Sequence, residues 1–256
     1  MQVELWQLAL LTGTGILAGI INVMAAGGSL MSIPIMLFLG VPGPIANGTN
    51  RISIIAQNIV AVRTFFRRGF SDLKLSLSLA AAATPGAILG ALVGVRLDGV
   101  WFDRVLAIIM LVVLVLMQLP SGKHSALTSA KSQPLTRARL IAGHALMFVA
   151  GLWGGFIQIG VGFILMPILH RVMGMDLVQT NMHKVFIALS YNLAAIFIFA
   201  AAVSIHWQFG LALALGNAIG GYFGARFSVQ GGERWIKRVF TLVLLVFIAK
   251  LLLPIG

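Results

Sequence analysis

Residues 18–40 read A-G-I-I-N-V-M-A-A-G-G-S-L-M-S-I-P-I-M-L-F-L-G, and residues 150–170 read A-G-L-W-G-G-F-I-Q-I-G-V-G-F-I-L-M-P-I-L-H. The two passages interrupt an apolar run in the same way. Gly27 stands seven residues before Pro34, and Gly160 seven before Pro167. Further on, Asn47 and Asn58 are eleven apart, as are Asn181 and Asn192. A glycine cluster frees φ, and a proline removes a backbone donor and crowds the preceding turn, so each passage predicts a broken helix. Paired interruptions at corresponding positions of two halves are the sequence mark of a transport site between structural repeats.

Composition fixes the solvent. Of 256 residues, 59% are hydrophobic and only 9% charged, and the mean hydropathy is +1.02. Apolar segments run at 8–24, 29–40, 45–66, 74–95 and 102–119, and again at 140–157, 160–173, 178–203, 208–225 and 239–254. Several approach the roughly 20 residues that cross a bilayer, so the expected class is an all-α polytopic membrane protein whose main partner is lipid. The net charge of +12 does not point to nucleic acid, because the basic residues sit at the ends of apolar stretches. No cysteine is present, which leaves no disulfide framework or thiolate metal site, and no cofactor is expected.

Charge orients the chain. The polar linker 121–139 carries Lys123, Lys131, Arg137 and Arg139 with no acid, which places it in the cytoplasm of a cell-membrane protein, the bacterial inner membrane being the expected home. Counting outward, 63–74, 171–184 and 226–238 fall on the same side, and 96–104 and 204–208 on the other. This puts 14 of the 18 Lys and Arg on the cytoplasmic side and both termini outside. The halves 1–120 and 140–256 then have opposite orientation. The expected architecture is two inverted-topology repeats, each a broken or re-entrant helical hairpin plus three spanning helices. Segments 29–40 and 160–173 are short of span length, which favours broken or re-entrant helices for both pairs.

A second repeat follows the first. Gly86, Gly90 and Gly94 match Gly216, Gly220 and Gly224, each run followed by a basic residue, Arg96 or Arg226. Small residues every fourth position let helices approach closely, and packing is the favoured reading over substrate contact.

Irregular backbone within a membrane is tolerated only in protein or against a water-filled cavity. The breaks therefore nominate Asn22, Gly27, Gly28, Gln158, Gly160 and Gly162 as lining a substrate site, where a restarting helix offers N–H groups to an anion. Asn47-Gly48-Thr49-Asn50-Arg51 and Asn181-Met182-His183-Lys184 open the next helices and add Asn47, Thr49, Asn50, Asn181 and His183. Eleven residues is close to three helical turns, so each asparagine pair shares a face. Asparagine and threonine donors orient an oxyanion while Arg51 and Lys184 supply charge. The alternative is that Asn47 and Asn181 cap their helices and the two cations anchor at the interface.

All six acids (Glu4, Asp72, Asp98, Asp103, Asp176, Glu233) lie in or near loops. Cation and proton pathways usually carry carboxylates at depth, so a small anion is the expected substrate, with a coupling proton or ion as a further partner. An intramembrane aspartyl protease would need two such carboxylates, and Ser190 stands two turns from His183, too far to form a nucleophile–base pair. No enzymatic activity is expected. A haem or quinone protein using His144, His170 and His183 ranks lower still, and an anion channel of the same fold stays open.

At these residues the sequence resembles the sulfite exporter TauE/SafE family, also called the TSUP permeases. Members carry a glycine-rich break followed by a proline in each half, then an A-x-G-T-[SN] motif opening the next helix. Here the first half has Gly27-Gly28…Pro34 and Ala46-Asn47-Gly48-Thr49-Asn50, and the second has Gly160-Val161-Gly162…Pro167 and Thr180-Asn181-Met182-His183-Lys184. The resemblance spans essentially the whole chain. It implies a permease for sulfite, sulfonates or other small organic anions. Met182-His183 stands where Gly-Thr is the pattern, so the resemblance does not imply that both halves meet the substrate alike.

Overall fold

The structure is a computed structural model that describes residues 3–25, 28–97, 99–118 and 134–228. Among these residues helices joined by short turns are the regular structure, with no strand. The first half contains α1 (Leu5–Ala25), α2 (Ser29–Phe38), α3 (Gly43–Arg67), α4 (Leu73–Gly94) and α5 (Gly99–Gln118). The second contains α6 (Arg137–Phe156), α7 (Gly162–Pro167) running into a π-turn at Ile168–Val172, α8 (Leu177–Ala202) and α9 (Trp207–Ser228). Gly27, linker residues 121–133 and the apolar segment 239–254 lie outside the described residues.

Among the described residues, four helices are long and apolar enough to cross a bilayer by length and composition: Leu5–Met24, Leu73–Gly94, Arg137–Phe156 and Leu177–Ala202. At 1.5 Å per residue, α2 reaches only about 15 Å, half a hydrocarbon core. The protein is embedded in a membrane and is inside-out in polarity. Leu89, Val93, Ile108, Val149, Phe197, Leu211 and Leu215 are exposed, whereas Asn50, Arg51, Gln57, Asn58, His183, Lys184 and Asn192 are buried.

Helix starts follow local chemistry. Asp72 caps α4 by accepting from the Leu75 N–H at 3.1 Å. Asp176 and Gln179 form a reciprocal capping box on α8. The carboxylates thus meet the positive ends of helix dipoles. By contrast, α3 opens on Pro42 and Pro44. Asn47 and Asn181 therefore sit inside their helices and cap neither.

Lipid tails are as apolar as leucine, so helix association rests on close packing rather than on escape from water. The glycine ridges supply it. Gly86, Gly90 and Gly94 lie against the carbonyls of Phe148, Leu152 and Phe156, and an added Cβ at any of the three would collide with backbone. Gly216, Gly220 and Gly224 meet Thr12, Ile16 and Ile20 in the same way. Cβ atoms on Gly15 and Gly19 would each come within 2.7 Å of a carbonyl, of Leu213 and Asn217 respectively. So α4 runs parallel to α6, and α9 parallel to α1, each with backbones in near contact.

These pairings cross between the halves. One apolar cluster joins Leu11, Leu30, Ile33 and Met36 to Phe209 and Leu213, and another joins Leu79 and Ala83 to Met147, Leu165, Leu169 and Ile187. At the centre α3 packs along α8, with Gly48 near the start of α3 beside Phe199 and Val203 at the end of α8, so the two are antiparallel.

Candidate functional site

The two breaks leave helix ends within the protein, and each end is held by a cation from the other half. The last turn of a helix has carbonyls without intrahelical partners and a partial negative charge. Arg51, on α3, donates from Nη1 to the Gly154 carbonyl (3.2 Å) and the Asn192 Oδ1 (3.0 Å), and from Nη2 to the Gly155 carbonyl. Its guanidinium also lies over the Phe199 ring, 4.3 Å from the centroid. Asn47 adds a bond from Nδ2 to the Phe156 carbonyl at 3.0 Å. Together they hold three successive carbonyls at the end of α6. Lys184, on α8, does the equivalent for α1, donating to the carbonyls of Asn22 (3.0 Å) and Val23 (2.8 Å). Neither cation anchors at an interface: Arg51 is 0% exposed and Lys184 4%.

The second break is strained. Gln158 has φ +50°, a left-handed conformation uncommon outside glycine, and Gly160 has φ +70°. Trp153 steadies the segment by donating from Nε1 to the Ile159 carbonyl (2.9 Å), and Gln158 donates from Nε2 to the Asn47 carbonyl (3.3 Å). Gly28 closes the first break against α1, where a Cβ would strike the Ala18 carbonyl and sit 2.6 Å from the Asn22 Cβ.

Between the breaks lies a narrow cavity of about 20 Å³, room for one water molecule. Its polar walls are Asn22, Ser29, Gln57, Asn58, Gln158 and Lys184, with Tyr191 beside them and Val161 and Gly162 at the start of α7. Asn22 donates to the Gln57 Oε1 (3.2 Å), and Gln57 donates to the Asn58 Oδ1 (3.1 Å). That leaves the Asn58 Nδ2 and the Gln158 Oε1 buried without a partner. An unpaired polar atom is costly in a buried setting, so both are poised for a ligand or water. The Lys184 ammonium has three N–H groups and gives two to α1.

Of the residues nominated by sequence, Asn22, Gln158 and Gly162 line this cavity. Gly28, Asn47 and Gly160 do not line it: Gly28 packs on α1, Asn47 holds the end of α6, and Gly160 sits in the second break at φ +70°. Asn50 stands behind it, accepting from the Ser32 hydroxyl (2.7 Å) and donating to the Ser29 Oγ (3.4 Å). Three others lie elsewhere. Asn181 donates to the Ser228 Oγ at the end of α9 (2.6 Å), Thr49 accepts from the His206 N–H (3.0 Å), and His183 shares a 2.8 Å hydrogen bond with Ser76 on α4. His183 borders a separate, open pocket of about 590 Å³ lined by Gly69, Ser71, Asp72, Pro134, Met175 and Gln179. Sequence reasoning missed Ser29, Gln57 and Tyr191. Gln57 and Tyr191 each precede the second asparagine of their helix, a pairing the eleven-residue spacing contains but does not announce.

The sulfite exporter TauE/SafE family model matches residues 11–251. The chain belongs to this family. Relatives along the whole length include a "Probable membrane transporter protein ORF9" of Sinorhizobium sp, 25% identical over 96% of this chain and 92% of that one. A "Probable membrane transporter protein" of Haemophilus influenzae is 24% identical over 97% and 96%. The "Probable membrane transporter protein YfcA" of Escherichia coli K12 is 25% identical over 96% and 89%. No solved structure gives a significant match. Within this TauE/SafE chain the Met182-His183 departure has a packing reason. Met182 fills an apolar cluster with Val23, Ala61, Phe65 and Val185, whereas Gly48 leaves room for Phe199. His183 and Thr49 reach corresponding places by different bonds, one to a hydroxyl on α4 and one to the backbone before α9.

Proposed function

We propose that the protein is a secondary transporter that carries a small oxyanion, a sulfite or organosulfonate, by alternating access between two inverted repeats, 1–120 and 140–256, in a bacterial inner membrane. The observation that carries the reading is the central cavity. It brings a lysine, the unpaired Asn58 amide, the Ser29 hydroxyl and the positive end of α2 to one place between the two broken helices, with no carboxylate among the described residues that line it. The family description and the relatives' printed names, all membrane transporters, support transport as the activity.

Several features support inversion. Corresponding helices α3 and α8 run antiparallel, α1 follows α9 as α6 follows α4, and each half's broken helix is held by the other half's cation. The segments assigned by charge to the cytoplasm, at 69–72, 134–135 and 173–179, border one shared pocket, which supports the orientation. A cavity with room for one water is too narrow for a three-oxygen anion unless its walls move, which suits a carrier better than an open channel. A proton or ion gradient would drive the cycle.

Thermal-shift titration with sulfite, sulfate, thiosulfate, taurine and sulfoacetate tests the substrate class, since a ligand of the folded state stabilises it by RT ln(1 + [L]/Kd). A selective shift that Asn58→Ala weakens supports the site, and no shift with any anion sinks it. Saturable counterflow in proteoliposomes separates the carrier from a channel.

A further inference from the structure

The two cations that hold the broken helices differ in what else they face. Arg51 is enclosed: three of its hydrogen bonds go to Gly154, Gly155 and Asn192, its face rests on Phe199, and it does not border the cavity. Lys184 borders the cavity, keeps one N–H beyond the two it gives to α1, and shares that lining with the unpaired Asn58 amide. Arginine's planar fork is set in one geometry, whereas lysine is a compact charge on a flexible stem that can be drawn from one acceptor to another.

We infer that Lys184 is the residue through which a bound anion moves the first broken helix: its ammonium passes from the carbonyls of Asn22 and Val23 to the anion, and the end of α1 is released from α8. The inference rests on the anion-site reading above and adds the coupling to it. Without the anion, the cation's acceptors are the partial charges of a helix end, worth about half an elementary charge. An oxyanion in the cavity offers a full charge at hydrogen-bond distance and competes successfully for the same ammonium. The end of α6 stays fixed on Arg51, which the anion does not reach. Binding then favours the conformation in which one broken helix is free and the other held, the differential affinity that a ligand-driven change requires.

The test is hydrogen–deuterium exchange of the full chain in lipid nanodiscs, with and without ethanesulfonate or sulfite, alongside calorimetric titration of the same anions. Exchange over residues 18–25 should rise severalfold with the anion, while residues 149–156 do not change. In Lys184→Gln, residues 18–25 should exchange fast from the start and not respond, with anion affinity reduced about tenfold or more. Asn58→Ala leaves the α1 tie intact and should weaken binding while preserving the exchange response at saturation. An anion that binds the unmodified chain without faster exchange at α1 overturns the inference, as does full affinity in Lys184→Gln. Either result leaves the anion site standing. An unmodified chain that binds neither anion removes the site itself. If Lys184→Gln does not fold, exchange in the unmodified chain decides the question alone.

Discussion

Arg51 and Lys184 solve one problem in two halves of the molecule. A helix broken inside a membrane leaves carbonyls that neither lipid nor the helix can satisfy, and in each half a cation donates to carbonyls in the last described turn of that helix. The solutions differ in closure. Arg51 is walled in by protein on every side the contacts show, with its Nε buried and unpaired, while Lys184 opens on the cavity. A charge at depth in this protein is therefore neutralised by peptide dipoles rather than by a carboxylate, and the same device serves as a strut in one half and as an adjustable tie in the other.

The comparison breaks most visibly at Arg51. Replacing it with methionine strands two backbone carbonyls and the Asn192 amide oxygen in a dry setting, and each buried acceptor left unsatisfied typically costs about 1–3 kcal/mol. Arg51→Met should give little folded protein, read as monodisperse material after detergent extraction, and Arg51→Lys should recover only part of it because an ammonium lacks the fork. If Arg51→Met is as stable as the unmodified chain, the strut reading fails.

Lys184→Met should cost less, about 1–3 kcal/mol, because a water in the adjoining cavity can take over the Asn22 and Val23 carbonyls. Unfolding followed through the five tryptophans measures the difference. The larger loss should be in transport, with sulfonate counterflow abolished in protein that still folds. Equal destabilisation by the two substitutions would mean that the cavity does not distinguish them.

How far the sequence foretold this arrangement follows from what kind of signal each part leaves. The breaks were legible because glycine acts on its own backbone, although Pro34 lies inside α2 and Pro167 at the end of α7 rather than at the breaks, and the ridge from Gly86 to Gly94 because close packing demands a small residue every turn. The cations were harder. Hydropathy treats Arg51 and Lys184 as boundary residues, since their compensation comes from helix ends more than a hundred residues away. A usable clue was present: a broken helix in lipid needs donors at its end, and each half carries one cation just inside the following helix. Thr49 and His183 were nominated because they belong to the repeated motif, yet the face each presents depends on where α9 and α4 dock, which no local pattern encodes. Gln57 and Tyr191 left no signal beyond adjacency to an asparagine.

A smaller effect separates the two motif asparagines. Asn47 gives one hydrogen bond to the end of α6, and Asn181 gives one to Ser228 at the end of α9, so Asn47→Ala and Asn181→Ala should each destabilise by about 1 kcal/mol. They should differ in transport. The Asn47 carbonyl also accepts from Gln158, whose left-handed backbone shapes the second break and which lines the cavity. Losing the Asn47 bond to Phe156 loosens that break, whereas losing the Asn181 bond leaves the cavity wall untouched. Initial-rate counterflow at matched protein amounts should therefore fall several-fold in Asn47→Ala and little in Asn181→Ala. Equal losses would show that the two halves bear on the substrate alike, and that the contrast between a fixed and an adjustable tie does not extend beyond the cations themselves.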